Sequence, residues 1–211
     1  MKRLTILMLT VFLSTPLLAQ EQETLFGTDI DHGGYGALST RLTSVQGTDA
    51  AIVGAYGGWL IDHTLMLGLG GFGLTTDVRA RQVAQDRYNP GGEPLYVQFG
   101  YGGFMIEYTV APSSLVHFNV QALIGGGSVT YREDWLDDND HWDDRDRRYG
   151  GHDALFVIEP AAHAEVNVTE WFRISAGASY RYVSGIDELQ GVENDDLRGL
   201  AGNLTFKFGA F

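Results

Sequence analysis

Residues 133–148 carry the most concentrated chemistry in the sequence, because eight of these sixteen residues are Asp or Glu. Dense carboxylates suit calcium, which takes about six to eight oxygen ligands. The spacing differs from that of an EF-hand loop, since the sixth position counted from Asp138 is an aspartate rather than glycine. We therefore expect either Ca²⁺ or a partner to bind here through these candidate residues: Asp134, Asp137, Asp138, Asp140, Asp143 and Asp144.

Other interpretations of this acidic loop stay open. Trp135 and Trp142 are embedded in it, and exposed tryptophans are typical of partner-binding surfaces. A bound divalent ion could also bridge the loop to a surface glycan. A loop of this composition can equally be a solvated segment without any ligand. The segment 186–196 adds five acidic residues: Asp187, Glu188, Glu193, Asp195 and Asp196.

Histidines are the second group of residues that could do chemistry. A catalytic histidine needs an oriented carboxylate and a nucleophile within hydrogen-bond reach. His163 has Glu159, Glu165 and Ser175 at nearby alternating positions, which permits a His–Glu–Ser arrangement. The alternative is that His163 and His117 make hydrogen bonds inside the fold without reacting.

A third group consists of ionisable residues that recur at alternating positions within otherwise apolar stretches. If these stretches form a closed barrel, the charges meet in its lumen, where they must pair or stay hydrated because an isolated buried charge is very unfavourable. A paired network that plugs the lumen is the leading expectation, and a narrow pore for small polar solutes is the alternative. The predicted network consists of Arg41, Glu107, Glu159, His163, Glu165, Arg173, Arg181 and Lys207.

Composition excludes several other functions. The net charge of −13 argues against nucleic-acid binding, which needs a positive surface. The absence of cysteine excludes disulfides and thiolate zinc sites. Residues 68–73 match G-x-G-x-x-G, but they lie inside a predicted strand rather than before a helix, so the match does not indicate a nucleotide site.

The amino terminus resembles a secretory signal peptide. Lys2 and Arg3 precede an apolar stretch from Leu4 to Leu18, and Ala19 supplies a small residue before the expected cleavage point. We expect residues 1–19 to be the signal peptide, 20–32 an N-terminal periplasmic segment and 33–211 the folded domain. A transmembrane anchor is the alternative, although the stretch is short for one.

The remaining chain predicts eight strands, since short apolar and glycine-rich stretches alternate with polar breaks. The predicted strands are 34–46, 50–61, 64–76, 95–110, 115–132, 154–168, 171–184 and 197–211. Tight links alternate with mostly long polar ones, which is the layout of an outer-membrane barrel. An even number of strands places both termini at the end with the tight turns.

Alternation within the strands favours a membrane barrel. In 171–184, apolar Ile174, Ala176 and Ala178 alternate with Arg173 and Ser175. A lipocalin-like soluble barrel would show the same alternation, but aromatic residues near strand ends resemble two interfacial girdles. The predicted girdle residues are Trp59, Phe104, Tyr108, Trp171 and Phe172 at one end, and Tyr96, Tyr131, Tyr180 and Tyr182 at the other.

Glycines mark places where the apolar parity of a strand changes. In 95–110 the change falls at Gly102 and Gly103, and similar changes fall at Gly70–Gly71 and at residues 125–127. Because glycine permits bulges and tight curvature, we expect irregular pairing there.

The mature chain resembles small eight-stranded bacterial outer-membrane proteins of the OmpA, OmpX and OmpW kind, from about Gly33 to Phe211. Its last residues resemble the C-terminal signal that directs such barrels to the assembly machinery, through Phe206, Phe208 and Phe211. Phe211 is one residue out of step with the other two, which predicts a kink or bulge near Gly209.

This resemblance implies an all-β fold, an antiparallel up-and-down transmembrane β-barrel, integral to the outer membrane of a Gram-negative bacterium. It implies outer-membrane lipid, lipopolysaccharide and the barrel assembly machinery as partners, and a monomeric protein. We expect a structural or surface-interaction role without catalysis. The two alternatives are a lipid-modifying enzyme that uses a histidine and a porin-like narrow pore, since the fold serves all three roles.

Overall fold

In the computed structural model, residues 31–133 and 149–211 are described, with Tyr149 and Gly150 described by their backbone alone. The predicted signal peptide and most of the predicted acidic loop lie outside these residues. The strands are β1 (His32–Val45), β2 (Thr48–Ile61), β3 (Leu65–Leu74), β4 (Val78–Arg79), β5 (Tyr96–Val110), β6 (Val116–Arg132), β7 (Tyr149–Thr169), β8 (Phe172–Ser184) and β9 (Gly199–Ala210).

The strands form one closed antiparallel sheet. Their order is β3-β2-β1-β9-β8-β7-β6-β5-β4, and β3 also pairs with β5, which closes the barrel. Strand β4 contributes only two residues at the edge of β5. The barrel wall therefore has eight long strands, and the predicted fold class is confirmed. Closure leaves the wall without a free edge, as a barrel that crosses a bilayer requires.

Side chains alternate between the barrel interior and its exterior, because successive residues of a strand face opposite sides. In β8, Arg173, Ser175 and Arg181 are buried inside. Large apolar side chains are strongly exposed outside; Phe118, for example, is 64% exposed and Leu200 72%. A soluble barrel would bury these residues, so this apolar exterior is a surface that faces lipid.

The two ends of the barrel differ. Tight turns at 62–64, 111–115 and 170–171 join strands at one end, which also holds both ends of the described domain. The other end has a two-residue hairpin turn and longer connections. Gln46 and Gly47 form this hairpin with φ of 51° and 76°, the left-handed conformation that a type I′ turn requires. We call the two ends the tight-turn end and the loop end.

The long connections at the loop end contain structure that the sequence analysis did not predict. Helix α1 (Gln82–Tyr88) follows β4, and helix α2 (Asn194–Leu197) precedes β9. Glu193 and Asp196 form a capping box that starts α2. Within 31–133 and 149–211, no helix is long and apolar enough to span a bilayer.

The expected irregularities at glycines are wrong. Pairing continues without a register shift across Gly70–Gly71 and Gly102–Gly103, and the shifts fall instead between Val129 and Tyr131 and between Asn167 and Thr169. The glycines serve close contact between strands, since a Cβ on Gly103 would lie 2.6 Å from the Cα of Gly125. What changes at these glycines is the side of the wall on which the apolar residues lie.

Candidate functional site

All eight charged or histidine residues predicted for the lumen lie inside the barrel. None is more than 8% exposed. Their strands lie all around the wall, and the inward parity of each strand directs these side chains to one interior. The structure joins six of them into ion pairs, which we call the charged core: Arg41, Glu107, Glu159, Glu165, Arg173 and Lys207.

Lys207 is the centre of the charged core near the tight-turn end. Its Nζ lies 2.6 Å from Glu107 Oε1 and 2.5 Å from Glu165 Oε2. The Tyr35 hydroxyl donates a hydrogen bond to Glu107 Oε1 at 2.8 Å. One ammonium therefore links two carboxylates on different strands. Because Lys207 is only 1% exposed, bulk water cannot replace it as the partner of these carboxylates.

Glu165 accepts hydrogen bonds from four side chains, and each of its oxygens takes two. Besides Lys207, it accepts from Arg173 NH1 at 3.3 Å, from His117 Nε2 at 3.0 Å and from Asn119 Nδ2 at 3.0 Å. His117 was expected from the sequence to make hydrogen bonds inside the fold, whereas Asn119 was not part of the predicted network. The inward parity of Asn119 on β6 was the sequence signal that could have identified it.

His163 does not form the His–Glu–Ser arrangement considered from the sequence. Its Nδ1 lies 3.0 Å from Asn119 Oδ1, and its Nε2 lies 3.2 Å from Asn203 Nδ2. The two amides thus occupy both ring nitrogens. Ser175 Oγ is buried without a hydrogen-bond partner among the described residues. The base, carboxylate and nucleophile are therefore not joined as catalysis would require.

Glu159 and Arg41 form the second part of the charged core, further toward the loop end. Arg41 NH1 forms an ion pair with Glu159, and its guanidinium lies 3.5 Å from the centre of the Phe72 ring. Tyr101 and Ser179 each donate a hydroxyl hydrogen bond to Glu159 at 2.6 Å. Each oxygen of this carboxylate therefore has at least one donor.

Arg181 is the exception among the predicted cations. It is completely buried, but it has no ion pair with any described residue. Its Nε donates to the backbone carbonyl of Leu197 at 2.6 Å.

Apolar side chains fill the barrel interior toward the loop end. We call this group the apolar core; it consists of Val97, Phe99, Val129, Leu155, Val157 and Val183, all at most 5% exposed. Tyr131 lies in the same region, fully buried, and donates its hydroxyl to Gln190 O at 3.0 Å. Its predicted place in an outer aromatic girdle is therefore wrong, because its odd position on β6 faces inward. Tyr180 and Tyr182 do face outward.

The connections at the loop end fold over the apolar core. Val78, Ala84, Leu189 and Leu197 are buried there at 4% exposure or less. The Asp153 carboxylate fixes one of these connections, because its Oδ2 accepts the backbone N–H groups of residues 187, 188 and 189 at 2.9–3.0 Å. The mouth of the barrel is thus covered by packed side chains.

Phe211 covers part of the opposite end. Its ring centre lies 5.3 Å from that of Tyr35 and 3.9 Å from the Arg173 guanidinium carbon. β9 stays in regular register with β1 through Ala210, so the predicted bulge near Gly209 is wrong. Phe211 instead has the inward parity of Lys207, whereas Phe206 and Phe208 face outward. An open depression of about 380 Å³ lies beside Phe211 at this end.

The candidate calcium ligands from Asp134 to Asp144 lie outside the described residues, so that site stays a prediction. Among residues 31–133 and 149–211, His, Cys, Asp and Glu side chains do not gather in the groups of three that hold metal ions.

Comparison with known proteins identifies the fold. No family model and no curated protein sequence matches the chain. The N-terminal β-barrel domain of Pseudomonas aeruginosa OprF is 12% identical with a TM-score of 0.50, over 83% of this chain and 96% of that one. Neisserial surface protein A (NspA) is 12% identical with a TM-score of 0.51, over 85% of this chain and 97% of that one.

Both similar structures are eight-stranded outer-membrane barrels. The present chain shares their closed fold and has an exterior suited to lipid. It is therefore an integral β-barrel of the bacterial outer membrane. Barrels of this kind place their tight turns in the periplasm and their longer loops outside the cell.

Proposed function

We propose that this protein is a sealed scaffold that presents an ordered acidic connection, between β8 and β9, at the cell surface and does not conduct solutes or catalyse a reaction. The observation that supports this proposal is the filling of the barrel. Paired charges occupy its periplasmic part, apolar side chains occupy its outer part, and loop residues pack over its mouth.

An eight-stranded barrel has an interior only wide enough for side chains. A path for solutes through this one would cross the Lys207 ion pairs, then the Phe99 layer, then the buried Leu197. We expect no steady conductance when the purified protein is reconstituted in planar bilayers. Reproducible single-channel steps, absent from protein-free bilayers, would overturn the sealed scaffold and favour the narrow pore.

The connection between β8 and β9 is the part of the outer surface that best fits a binding role. Its exposed carboxylates are those of Asp187, Glu188, Glu193 and Asp195. Asp153 holds this connection from below, and α2 gives it regular structure. A surface that is already ordered loses less conformational entropy on binding than a flexible one. Its charge favours a basic protein segment as partner.

Binding of a basic peptide to the protein in nanodiscs tests this interpretation. Asp187→Asn combined with Glu188→Gln removes two charges, and we expect about fivefold weaker binding, at about 0.5 kcal/mol per exposed ion pair. The matched control is Asp62→Asn with Glu170→Gln, which removes the same charge at the periplasmic turns and should leave binding unchanged. Equal losses in both variants would mean that only net charge matters and would contradict the proposal.

Calcium binding by the acidic loop is a separate proposal. Carboxylates that repel each other would be neutralised by the ion, and Trp135 and Trp142 would report the change as fluorescence. Replacing Asp137, Asp138 and Asp140 with Asn should weaken binding steeply without loss of the barrel. A calorimetric titration without heat at millimolar calcium would leave a solvated loop as the interpretation.

A further inference from the structure

Arg181 lies in the barrel interior between the charged core and the apolar core. It is 0% exposed, and the connection that contains Leu197 covers it. Two aromatic rings line the guanidinium, with the ring centre of Phe99 5.4 Å and that of Tyr101 5.9 Å from its Cζ. These rings stabilise the cation through their π faces, but they do not supply hydrogen-bond acceptors to its N–H groups.

The outer edge of this guanidinium has no partner in the described protein. Only Nε donates, to Leu197 O, whereas NH1 and NH2 are buried with no hydrogen bond to any residue in 31–133 or 149–211. Four N–H groups therefore point into the interior unused. Buried donors of a charged group are very unfavourable when they are left unpaired.

The ion pairs identify the one buried cation that lacks a carboxylate. Near the periplasmic end, the two cations Lys207 and Arg173 face two carboxylates, Glu107 and Glu165. Further out, Arg41 and Arg181 have only Glu159 between them, and Arg41 already pairs with it. Asp153 is the fourth buried acid of the described interior, so the formal charges balance, but it forms no ion pair with Arg181 and accepts backbone N–H groups instead.

Glu159 cannot serve both guanidiniums in this arrangement. Its Oε2 accepts from Arg41 and from Tyr101, and its Oε1 accepts from Ser179. No second carboxylate of the described interior forms an ion pair with Arg181; Asp153, the other buried acid toward the loop end, accepts three backbone N–H groups. The missing partner therefore has to be a species other than these side chains.

We propose that NH1 and NH2 of Arg181 bind a small monovalent inorganic anion, chloride in ordinary solutions, inside the barrel. One unpaired guanidinium carries one positive charge, which favours a monovalent ion over a divalent oxyanion. The guanidinium edge presents donors in a fixed fork that suits an anion. The surrounding aromatic rings favour a weakly hydrated ion such as a halide. Arg181 then forms a buried anion site that stabilises the outer part of the barrel.

Anomalous diffraction from crystals of the unmodified protein grown in bromide tests the site directly. The expected result is an anomalous peak in contact with both terminal nitrogens of Arg181. A water molecule there, a carboxylate of the protein, or absence of a peak at full bromide exchange would overturn the proposal. This measurement needs no variant, so it does not depend on how any substitution folds.

Denaturation in chloride and in gluconate at equal ionic strength tests the energetic consequence. Because an anion that binds only the folded state stabilises it by mass action, each tenfold rise in chloride above its dissociation constant should raise the folding equilibrium constant about tenfold. Arg181→Met should abolish this dependence. The matched control is Arg198→Met, since Arg198 stacks on Tyr182 at the surface and pairs with Asp195. Equal chloride dependence in Arg181→Met and the unmodified protein would contradict the site.

Discussion

On β5 and β6, the two halves of the barrel place their apolar side chains on opposite sides of the wall. In the periplasmic half of β5, Phe104 and Ile106 face outward and Glu107 faces inward. In the outer half of the same strand, Phe99 faces inward and Gln98 faces outward. Strand β6 repeats the change, since Phe118 faces outward near the periplasm whereas Val129 faces inward near the loops.

This difference shows that the surrounding medium decides where apolar residues go. A transmembrane strand needs only about nine to eleven residues to cross the hydrocarbon, and β5 has 15. The part within lipid is apolar outside and has to pair its interior charges. On β5 and β6, the part beyond the lipid is polar outside at Gln98 and Ser128 and fills its interior with Val97, Phe99 and Val129, as a soluble barrel does.

The two halves should also respond differently to substitution. In the charged core one residue serves several partners, so removal of one group leaves others unpaired. In the apolar core each side chain contributes through its own volume and contacts. The following experiments test that distinction, beginning with the largest expected effect.

Lys207→Met should destabilise the barrel most. Its loss leaves Glu107 and Glu165 buried without the cation that joins them, at a cost of about 3–5 kcal/mol in unfolding free energy. Urea denaturation of protein folded in vesicles measures the loss. Adding Glu107→Gln and Glu165→Gln should recover part of it. A loss below about 1 kcal/mol would mean that the interior is hydrated instead of ion-paired.

Leu155→Ala tests the apolar core. The substitution leaves a cavity among packed apolar side chains, and we expect a loss of about 2–4 kcal/mol in the same denaturation experiment. Leu155→Met keeps most of the volume and should cost less than about 1.5 kcal/mol. Similar losses for the two variants would show that packing does not determine stability in this half.

Arg173→Ala should have a smaller effect, about 1–3 kcal/mol, because Glu165 keeps Lys207, His117 and Asn119 as donors. Combination with Glu165→Gln should recover part of this loss. The comparison is a double-mutant cycle on unfolding free energies. Strict additivity would show that Arg173 acts through its stacking on Phe211 and not through the carboxylate.

Asp153→Asn should have the smallest effect on overall stability, about 1 kcal/mol, because the amide oxygen still accepts hydrogen bonds but carries no charge. The local effect should be clearer. Hydrogen exchange of the amides of residues 187–189 should accelerate about fivefold if that free energy appears as local opening. Asp49→Asn on the short hairpin is the control. Equal acceleration of the amides of residues 187–189 in this control variant would exclude a specific role for Asp153.

The wall of this barrel could be predicted from the sequence because alternation is a local property. Knowing that β8 begins near Phe172 is enough to place Arg173 inside. The pairing of interior groups was harder to predict from the sequence. Arg41 and Glu159 are 118 residues apart, and their contact depends on the stagger of the strands around the barrel. That Arg181 has no carboxylate partner became apparent only once those pairings were known.

Two of the errors have the same physical origin. A change in apolar parity was interpreted as irregular backbone at Gly102–Gly103, whereas the backbone is regular and the medium outside it changes. Tyr131 was assigned to the exterior for the same reason, because an aromatic residue near a strand end was assumed to face lipid. The helices α1 and α2 were missed because they are short, and tertiary contacts rather than periodicity define them.

The meeting of β1 with β9 has a consequence for the order of events in folding. Every other long pairing joins long strands that follow one another along the chain, with only the short β4 and α1 between β3 and β5, but here Gly34 meets Ala210. Closing so large a loop is slow relative to forming hairpins. Lys207 on β9 can reach Glu107 on β5 only across the interior of a curled sheet. An open sheet would therefore expose unpaired ions on one face and apolar, lipid-facing residues on the other. Pairing of β1 with β9, as the last step, would close the wall and complete the interior ion pairs in a single cooperative step.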